Sequence, residues 1–232
     1  MKKKDSINGR FYKSDEEFHE DKWFPSVTHI IGDVLTKGQY FHKWLANQNS
    51  WQAAEDYKNK KAREGTKVHK YCEQLSDGKE VEVKDDCKSV RKKTAGYVNF
   101  HKQEDVNVWE TEFQLHHPNF MYAGTADLLA EVNDELWLID IKTSSNIYDS
   151  HRIQLSMYQR AARDTGYAEP DKQGILWLKD RTKKGYQLKE IDYRPQIIPA
   201  IMELYDFVGD WSPKKEEELP EKLSLGGDKN DN

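Results

Sequence analysis

Two aspartates and a lysine, Asp127, Asp140 and Lys142, are residue types that can bind a metal ion and carry out acid–base chemistry. They lie in residues 122–132 and 135–141, where small, aliphatic and alternating apolar residues predict two strands. Two carboxylates that meet in an apolar hairpin need a shared proton or a cation. Lys142 follows Asp140 by two residues, so it projects from the same face of its strand. This spacing predicts a metal site with a cationic neighbour.

The turn between the two strands decides whether the aspartates meet. Asn133 and Asp134 both tolerate the left-handed backbone that a tight hairpin turn requires. A two-residue turn at this position places Asp127 directly opposite Asp140, with Cβ atoms about 5 Å apart. A turn one residue longer would break that pairing, so the predicted site depends on this register.

The order of predicted elements is a group of helices, three strands, a helix, two strands and a final helix. This order predicts an α/β fold with a mixed central sheet flanked by helices and an N-terminal helical subdomain. We divide the chain into a flexible N-terminal segment (1–22), a helical N-terminal subdomain (23–105), a core (106–211) and a disordered C-terminal tail (212–232).

Composition restricts the functions that the chain can have. A formal net charge of −5 argues against a generally basic coat, so any nucleic acid must bind in a local groove. No apolar run approaches the roughly 20 residues of a membrane span, which predicts a cytoplasmic protein without membrane contacts. Cys72 and Cys87 are the only cysteines, too few for a four-cysteine iron–sulfur cluster or a disulfide framework.

Several spaced motifs carry a resemblance to a known family. Gly124-Thr125-Ala126-Asp127 followed by Asp140-Ile141-Lys142 resembles the PD-(D/E)xK nuclease superfamily, which has a restriction-endonuclease-like core. Gly65 to His69 (G-x-x-x-H) and Gln154 to Tyr158 (Q-x-x-x-Y) are similar to motifs of its RecB-type exonuclease branch. That branch includes mitochondrial genome maintenance and phage nucleases. The resemblance extends over most of the chain, about residues 25–211.

The resemblance implies divalent-metal-dependent hydrolysis of DNA phosphodiesters by an exonuclease. The expected substrates are single-stranded or frayed DNA ends, in phage-type recombination, replication or repair. Asp127, Asp140 and the Ile141 carbonyl would bind Mg²⁺ or Mn²⁺, with His69 as a further ligand. Lys142 would orient or deprotonate the attacking water.

A third acidic residue is expected from the strand predicted at 106–115. Glu110 aligns with the first acidic residue of the family motif better than Glu112 does, and it would hold a second ion or a metal-bound water. Either residue could instead be a solvent-facing strand carboxylate. Glu73 lies one helical turn after His69 and is an additional candidate, although a nearby lysine explains it equally well.

The remaining DNA contacts would come from polar and basic side chains around the groove: Gln154, Tyr158, Thr143, Ser144, Arg91, Lys92, Lys93 and Arg181. For the basic residues a solvated helix face is the simpler alternative. Two other functions stay open, a structure-specific or restriction-type endonuclease and a non-catalytic DNA- or partner-binding module. Protein partners would bind through the tails.

Overall fold

The computed structural model describes residues 1–14 and 22–215. The N-terminal part forms a three-stranded antiparallel sheet followed by helices. Its elements are β1 (Lys2–Ser6), β2 (Gly9–Lys13), β3 (Trp23–Pro25), α1 (Val27–Val34), α2 (Gln39–Ala46), α3 (Trp51–Ser76) and α4 (Lys88–Gln103).

The core is a five-stranded sheet in the order in which its strands occur along the chain. Its elements are β4 (Val106–His117), β5 (Tyr122–Val132), β6 (Glu135–Lys142), α5 (Asp149–Asp164), β7 (Lys172–Leu178), β8 (Tyr186–Glu190) and α6 (Ile198–Val208). β6 and β7 are parallel and are joined through α5, whereas the other neighbouring strands are antiparallel. The predicted α/β fold, with a mixed sheet between helices, is confirmed.

The turn between β5 and β6 has the geometry that the sequence predicts. Asn133 and Asp134 have φ angles of 52° and 66°, which is the left-handed backbone of the hairpin turn. The resulting register pairs Leu128 with Ile139, and the next position along each strand is Asp127 and Asp140. The predicted register is therefore confirmed up to the two aspartates.

Helices cover both faces of this hairpin. Leu129 and Leu138 pack in a core with residues of α1, α5 and α6. Leu128 and Ile139 pack on the opposite face, in a core that includes residues of α3 and α4. Because both faces are covered, Asp140 is only 2% exposed, and its charge needs a partner within the protein.

The N-terminus differs from the prediction of a flexible segment at residues 1–22. Tyr12 and Phe24 are buried against Ala123 of β5, so the three-stranded sheet packs on the core. Charged residues fill β1 (KKKDS), so hydropathy gives no strand signal there. Residues 15–21 lie outside the described part.

The start of the predicted tail is also in contact with the N-terminal sheet. The side-chain amide of Asn8 donates to the Ser212 carbonyl (3.1 Å), and its carbonyl oxygen accepts from the Lys214 amide (3.0 Å). The rest of the predicted tail, residues 216–232, lies outside the described residues. Among the helices of the described ranges, none has both the length and the apolar character needed to cross a membrane.

The left-handed turn limits which residues can replace Asp134, which is exposed. Asp134→Val should lower the free energy of unfolding by about 1–2 kcal/mol, because a β-branched residue is strained in this conformation. Asp134→Gly, the matched control, should keep or raise stability. Urea denaturation measures both, and equal stability of the two variants would contradict the assigned turn.

Candidate active site

Three acidic residues lie in a row across the first three core strands. The pairs Thr111–Leu128 and Phe113–Ala126 flank one position of the β4–β5 ladder, and at that position Glu112 is opposite Asp127. The hairpin register then continues the row to Asp140 of β6.

A histidine from α3 joins two of these acids. One ligand atom from each of His69, Glu112 and Asp127 lies within 4.8 Å of the others. His69 Nδ1 is 3.5 Å from Asp127 Oδ1. The cluster thus brings an imidazole and two carboxylates from three separate elements to one point.

A β-bulge puts Glu112 into this row. The ladder shifts by one residue between Val108 and Glu110, and without that shift Thr111 would face Asp127. Glu112 itself has φ of 48°, which is uncommon for a residue with a side chain and costs about 1–3 kcal/mol. Strained backbone of this kind is often found at functional sites, which suggests a role for Glu112.

The structure does not bring Glu110 into the cluster, contrary to the sequence-based alignment. Glu110 is exposed and accepts a hydrogen bond from the Tyr167 hydroxyl. Glu112 is the β4 glutamate that lies opposite Asp127, in the register that the bulge sets. No sequence signal that we used identifies this bulge, and the catalytic role of either glutamate stays a prediction.

Lys142 contacts Asp140 directly, as its spacing predicts. Its Nζ is 3.0 Å from Asp140 Oδ1 and 2.8 Å from Oδ2. Lys142 also donates to Gln154 Oε1 (3.1 Å), and the Gln154 amide donates to the Tyr158 hydroxyl (3.3 Å). Gln154 and Tyr158 are 8% and 4% exposed, and their contact with DNA stays a prediction.

Asp127 is held by the backbone of the neighbouring strand. The Ile141 amide donates to Asp127 Oδ2 at 2.6 Å, which fixes one oxygen of the carboxylate. The other oxygen faces His69. The role of the Ile141 carbonyl as a metal ligand stays a prediction.

The pKa values of the histidine and its aspartate move in opposite directions because the two groups interact. Burial lowers the pKa of His69, but the Asp127 carboxylate outweighs this effect and raises the pKa to about 9. Burial alone would raise the pKa of Asp127, whereas His69, Lys142 and the Ile141 amide together lower it. These partners therefore favour the charged form of Asp127.

The other two acids have raised pKa values. Burial raises the pKa of Asp140 to about 6, with Lys142 opposing the rise and Asp127 adding to it. Burial and the Asp127 charge raise the pKa of Glu112 to about 7. Both acids thus release their protons at higher pH than a free carboxyl group does, and a bound cation would favour their charged forms.

The donor set fits a hard divalent cation. Carboxylate oxygens are the ligands that Mg²⁺, Ca²⁺ and Mn²⁺ prefer, and one imidazole is compatible with Mn²⁺. Glu112 is solvent-accessible while Asp127 is mostly covered, so the cluster opens to solvent at the β4 side. Glu73, half-buried in α3, adds to the negative field at Glu112.

The predicted DNA-contacting residues have different surroundings. Lys93 donates to the Thr143 carbonyl (2.8 Å), directly after Lys142. The Ser144 hydroxyl donates to the Asn146 carbonyl within its own loop. Of the other three basic candidates, Lys92 donates to the Asp180 carbonyl (2.8 Å), and Arg91 and Arg181 are exposed.

Comparison with known proteins gives one family. A family model described as the PD-(D/E)XK nuclease superfamily matches residues 26–223. No curated protein is significantly similar to the chain in sequence.

Similar solved structures include an alkaline exonuclease (LHK-Exo) from Laribacter hongkongensis, at 15% identity and a TM-score of 0.42. The match covers 78% of this chain and 84% of that one. A second structure, LHK-Exo in complex with dAMP, gives 15% identity, a TM-score of 0.41 and coverage of 78% and 83%.

Gly124 of the G-x-x-D motif leaves the space that Tyr158 occupies. A Cβ at this position would lie 2.5 Å from Tyr158 Cε1 and 2.8 Å from its hydroxyl. Gly124→Ala should therefore lower the free energy of unfolding by about 1–3 kcal/mol. Gly32→Ala is the control, because nothing lies within 4 Å of its added Cβ. Urea denaturation compares them, and equal stabilities would contradict the packing of Tyr158.

Proposed function

Because the chain belongs to the PD-(D/E)XK nuclease superfamily, we propose that it is a divalent-metal-dependent DNA exonuclease. The observation that carries this proposal is the cluster of His69, Glu112 and Asp127, whose ligand atoms lie within 4.8 Å of one another. The cluster lies beside the Asp140–Lys142 ion pair. A cation site next to a positively charged side chain is an arrangement suited to the attack of water on a phosphodiester.

Asp127, Glu112 and His69 would hold Mg²⁺ or Mn²⁺, with Asp140 and the Ile141 carbonyl as further ligands. A divalent cation at this position would lower the pKa of a water and offset negative charge on the scissile phosphate. Of the two ions, Mn²⁺ is the better match to the imidazole of His69.

Lys142 is the residue that would orient the attacking water and stabilise the charge on the phosphate. Burial lowers its pKa, but Asp140 and Asp127 outweigh burial and raise it, so the ammonium group stays charged. A fixed positive charge stabilises the negative charge that develops on the phosphoryl oxygens. Gln154 Oε1 accepts a further hydrogen bond from the ammonium group (3.1 Å), which helps to hold it in place.

The choice of an exonuclease rests on the RecB-type motifs. His69 and Gln154 are the motif residues of that branch, and both lie at the site, one in the cluster and one on Lys142. The setting we propose is phage-type recombination, replication or repair.

Exposed aromatic side chains support a single-stranded or frayed substrate. Tyr40 of α2 is 88% exposed, and Trp51 and Tyr57 of α3 are 67% and 50% exposed. Aromatic side chains stack on unpaired bases of any sequence. Residues 37–70 also contain eight Lys or Arg against three Asp or Glu, although the whole chain has a net charge of −5. Trp51 and Tyr57 lie on α3, the helix that also carries His69.

The two glutamates of β4 provide a matched pair for testing the site. Glu112→Gln should lower the rate of DNA cleavage about a hundredfold or more, because it removes a cation ligand and a charge at the reaction centre. Glu110→Gln makes the same chemical change outside the cluster and should keep the wild-type rate within about twofold. Release of labelled nucleotides from linear single-stranded DNA in Mn²⁺ measures both. Loss of activity in Glu110→Gln alone would instead identify Glu110 as the acidic residue of the family motif.

A set of substrates and metals tests the proposed function itself. Linear single-stranded DNA should be degraded with Mg²⁺ or Mn²⁺, and EDTA, Asp140→Asn or Lys142→Ala should abolish cleavage. Circular single-stranded DNA should stay intact, because an exonuclease needs an end. Cleavage of the circle would favour a structure-specific or restriction-type endonuclease. DNA binding without metal-dependent turnover would favour a non-catalytic module.

A further inference from the structure

The N-terminal sheet lies outside the residues that the family model matches, yet it packs against the candidate site. The family match begins at residue 26, whereas the hairpin formed by β1 and β2 ends at Lys13. The Ser26 amide donates to the Arg10 carbonyl (2.9 Å), which ties β2 to the start of α1. A structural element outside the matched range thus lies next to the family core.

Tyr12 connects this element to the strand that carries Asp127. Its hydroxyl is 3.0 Å from Thr125 Oγ1, and its side chain is 1% exposed. Thr125 lies two residues before Asp127 on β5, so their side chains point the same way along the strand. The sheet face that contains Tyr12 is thus turned towards the site.

Two basic residues share that face with Tyr12. Lys3 pairs with Tyr12 across β1 and β2, and Arg10 is two residues from Tyr12 along β2. Both are exposed. Arg10 is bonded to Asp5 of the same hairpin (Nε to Oδ1, 2.7 Å).

The contact between Tyr12 and Thr125 places this face beside the acidic row. Thr125 lies two residues from Asp127 on β5 and pairs with Gln114 of β4, which is two residues from Glu112. The positive face of the hairpin thus adjoins the β4–β5 part of the site.

A row of carboxylates repels a DNA backbone, so a strand that crosses the row needs cations on both sides. Lys142 and Lys93 supply positive charge at the β6 end of the row. The β4 end lies next to the hairpin, whose residues 2–13 contain five Lys or Arg and one Asp. The row with its two flanks defines a path across the strands of the sheet.

We propose that the N-terminal hairpin is part of the substrate site, with Lys3 and Arg10 binding backbone phosphates of single-stranded DNA beside the Glu112 end of the metal cluster. This inference rests on the proposed function, since it assigns the path of the DNA substrate. Lys3 and Arg10 are binding and positioning residues, and neither takes part in the chemical step.

Lys3→Glu and Lys2→Glu form a matched test, because both change the net charge equally. Lys2 is also exposed and pairs with Lys13 on the opposite face of the hairpin. The Kd of the full-length chain for a fluorescein-labelled single-stranded oligonucleotide, measured by anisotropy in EDTA, should rise about five- to tenfold for Lys3→Glu. The slope of log Kd against log salt should fall by about 0.7, the value for one phosphate of a single strand.

Lys2→Glu should change Kd less than about twofold, because its side chain points away from the path. Arg10→Gln is a second variant, and it should also raise Kd. At saturating DNA in Mn²⁺, kcat of Lys3→Glu should stay within about twofold of wild type, with the defect in KM. Circular dichroism verifies that each variant is folded.

Equal Kd values for Lys3→Glu and Lys2→Glu would overturn the inference, as would a loss of kcat at unchanged Kd. The proposed function has a separate readout in the same experiment, which is metal-dependent cleavage by the wild-type chain. A wild-type chain that cuts DNA while the two lysine variants behave alike would refute the role of the hairpin alone.

Discussion

The repulsion between Glu112, Asp127 and Asp140 is the constraint on which the site depends. Three carboxylates in one row across adjacent strands, with Asp140 fully enclosed, cannot all be charged without positive partners. The protein supplies two such partners, Lys142 at one end and His69 in the middle. It leaves Glu112 accessible from solvent. A divalent cation beside Glu112 would neutralise the negative charge that Lys142 and His69 leave unbalanced.

The rest of the fold holds these few groups in register. The parallel pair β6–β7 requires a crossover, and α5 provides it while bringing Gln154 and Tyr158 under Lys142. The long helix α3 carries His69 to Asp127 from the other face of the sheet. Each catalytic candidate is thus fixed by an element whose own packing is apolar, which limits the freedom of the polar groups.

Turn propensity and strand alternation were sufficient to predict the β5–β6 hairpin from the sequence. Asn133 and Asp134 specify a turn, the turn specifies the register, and the register places Asp127 beside Asp140 and Lys142. The same rules did not predict the register of β4, where a bulge that the sequence does not signal brings Glu112 opposite Asp127 and leaves Glu110 outside the cluster. They also failed on β1, a strand of charged residues that is formed by pairing with β2 and contact with the core. Features that arise from contacts distant in sequence were the ones that could not be predicted.

The most direct measurement is a crystal structure with Mn²⁺ bound, in which anomalous scattering identifies the ion without reference to its surroundings. We expect one strong anomalous peak among Asp127, Glu112 and His69, at about 2.0–2.4 Å from their ligand atoms. An ion bound elsewhere, with Glu112 and Asp127 joined by a shared proton or bridged by ordered water, would contradict this expectation.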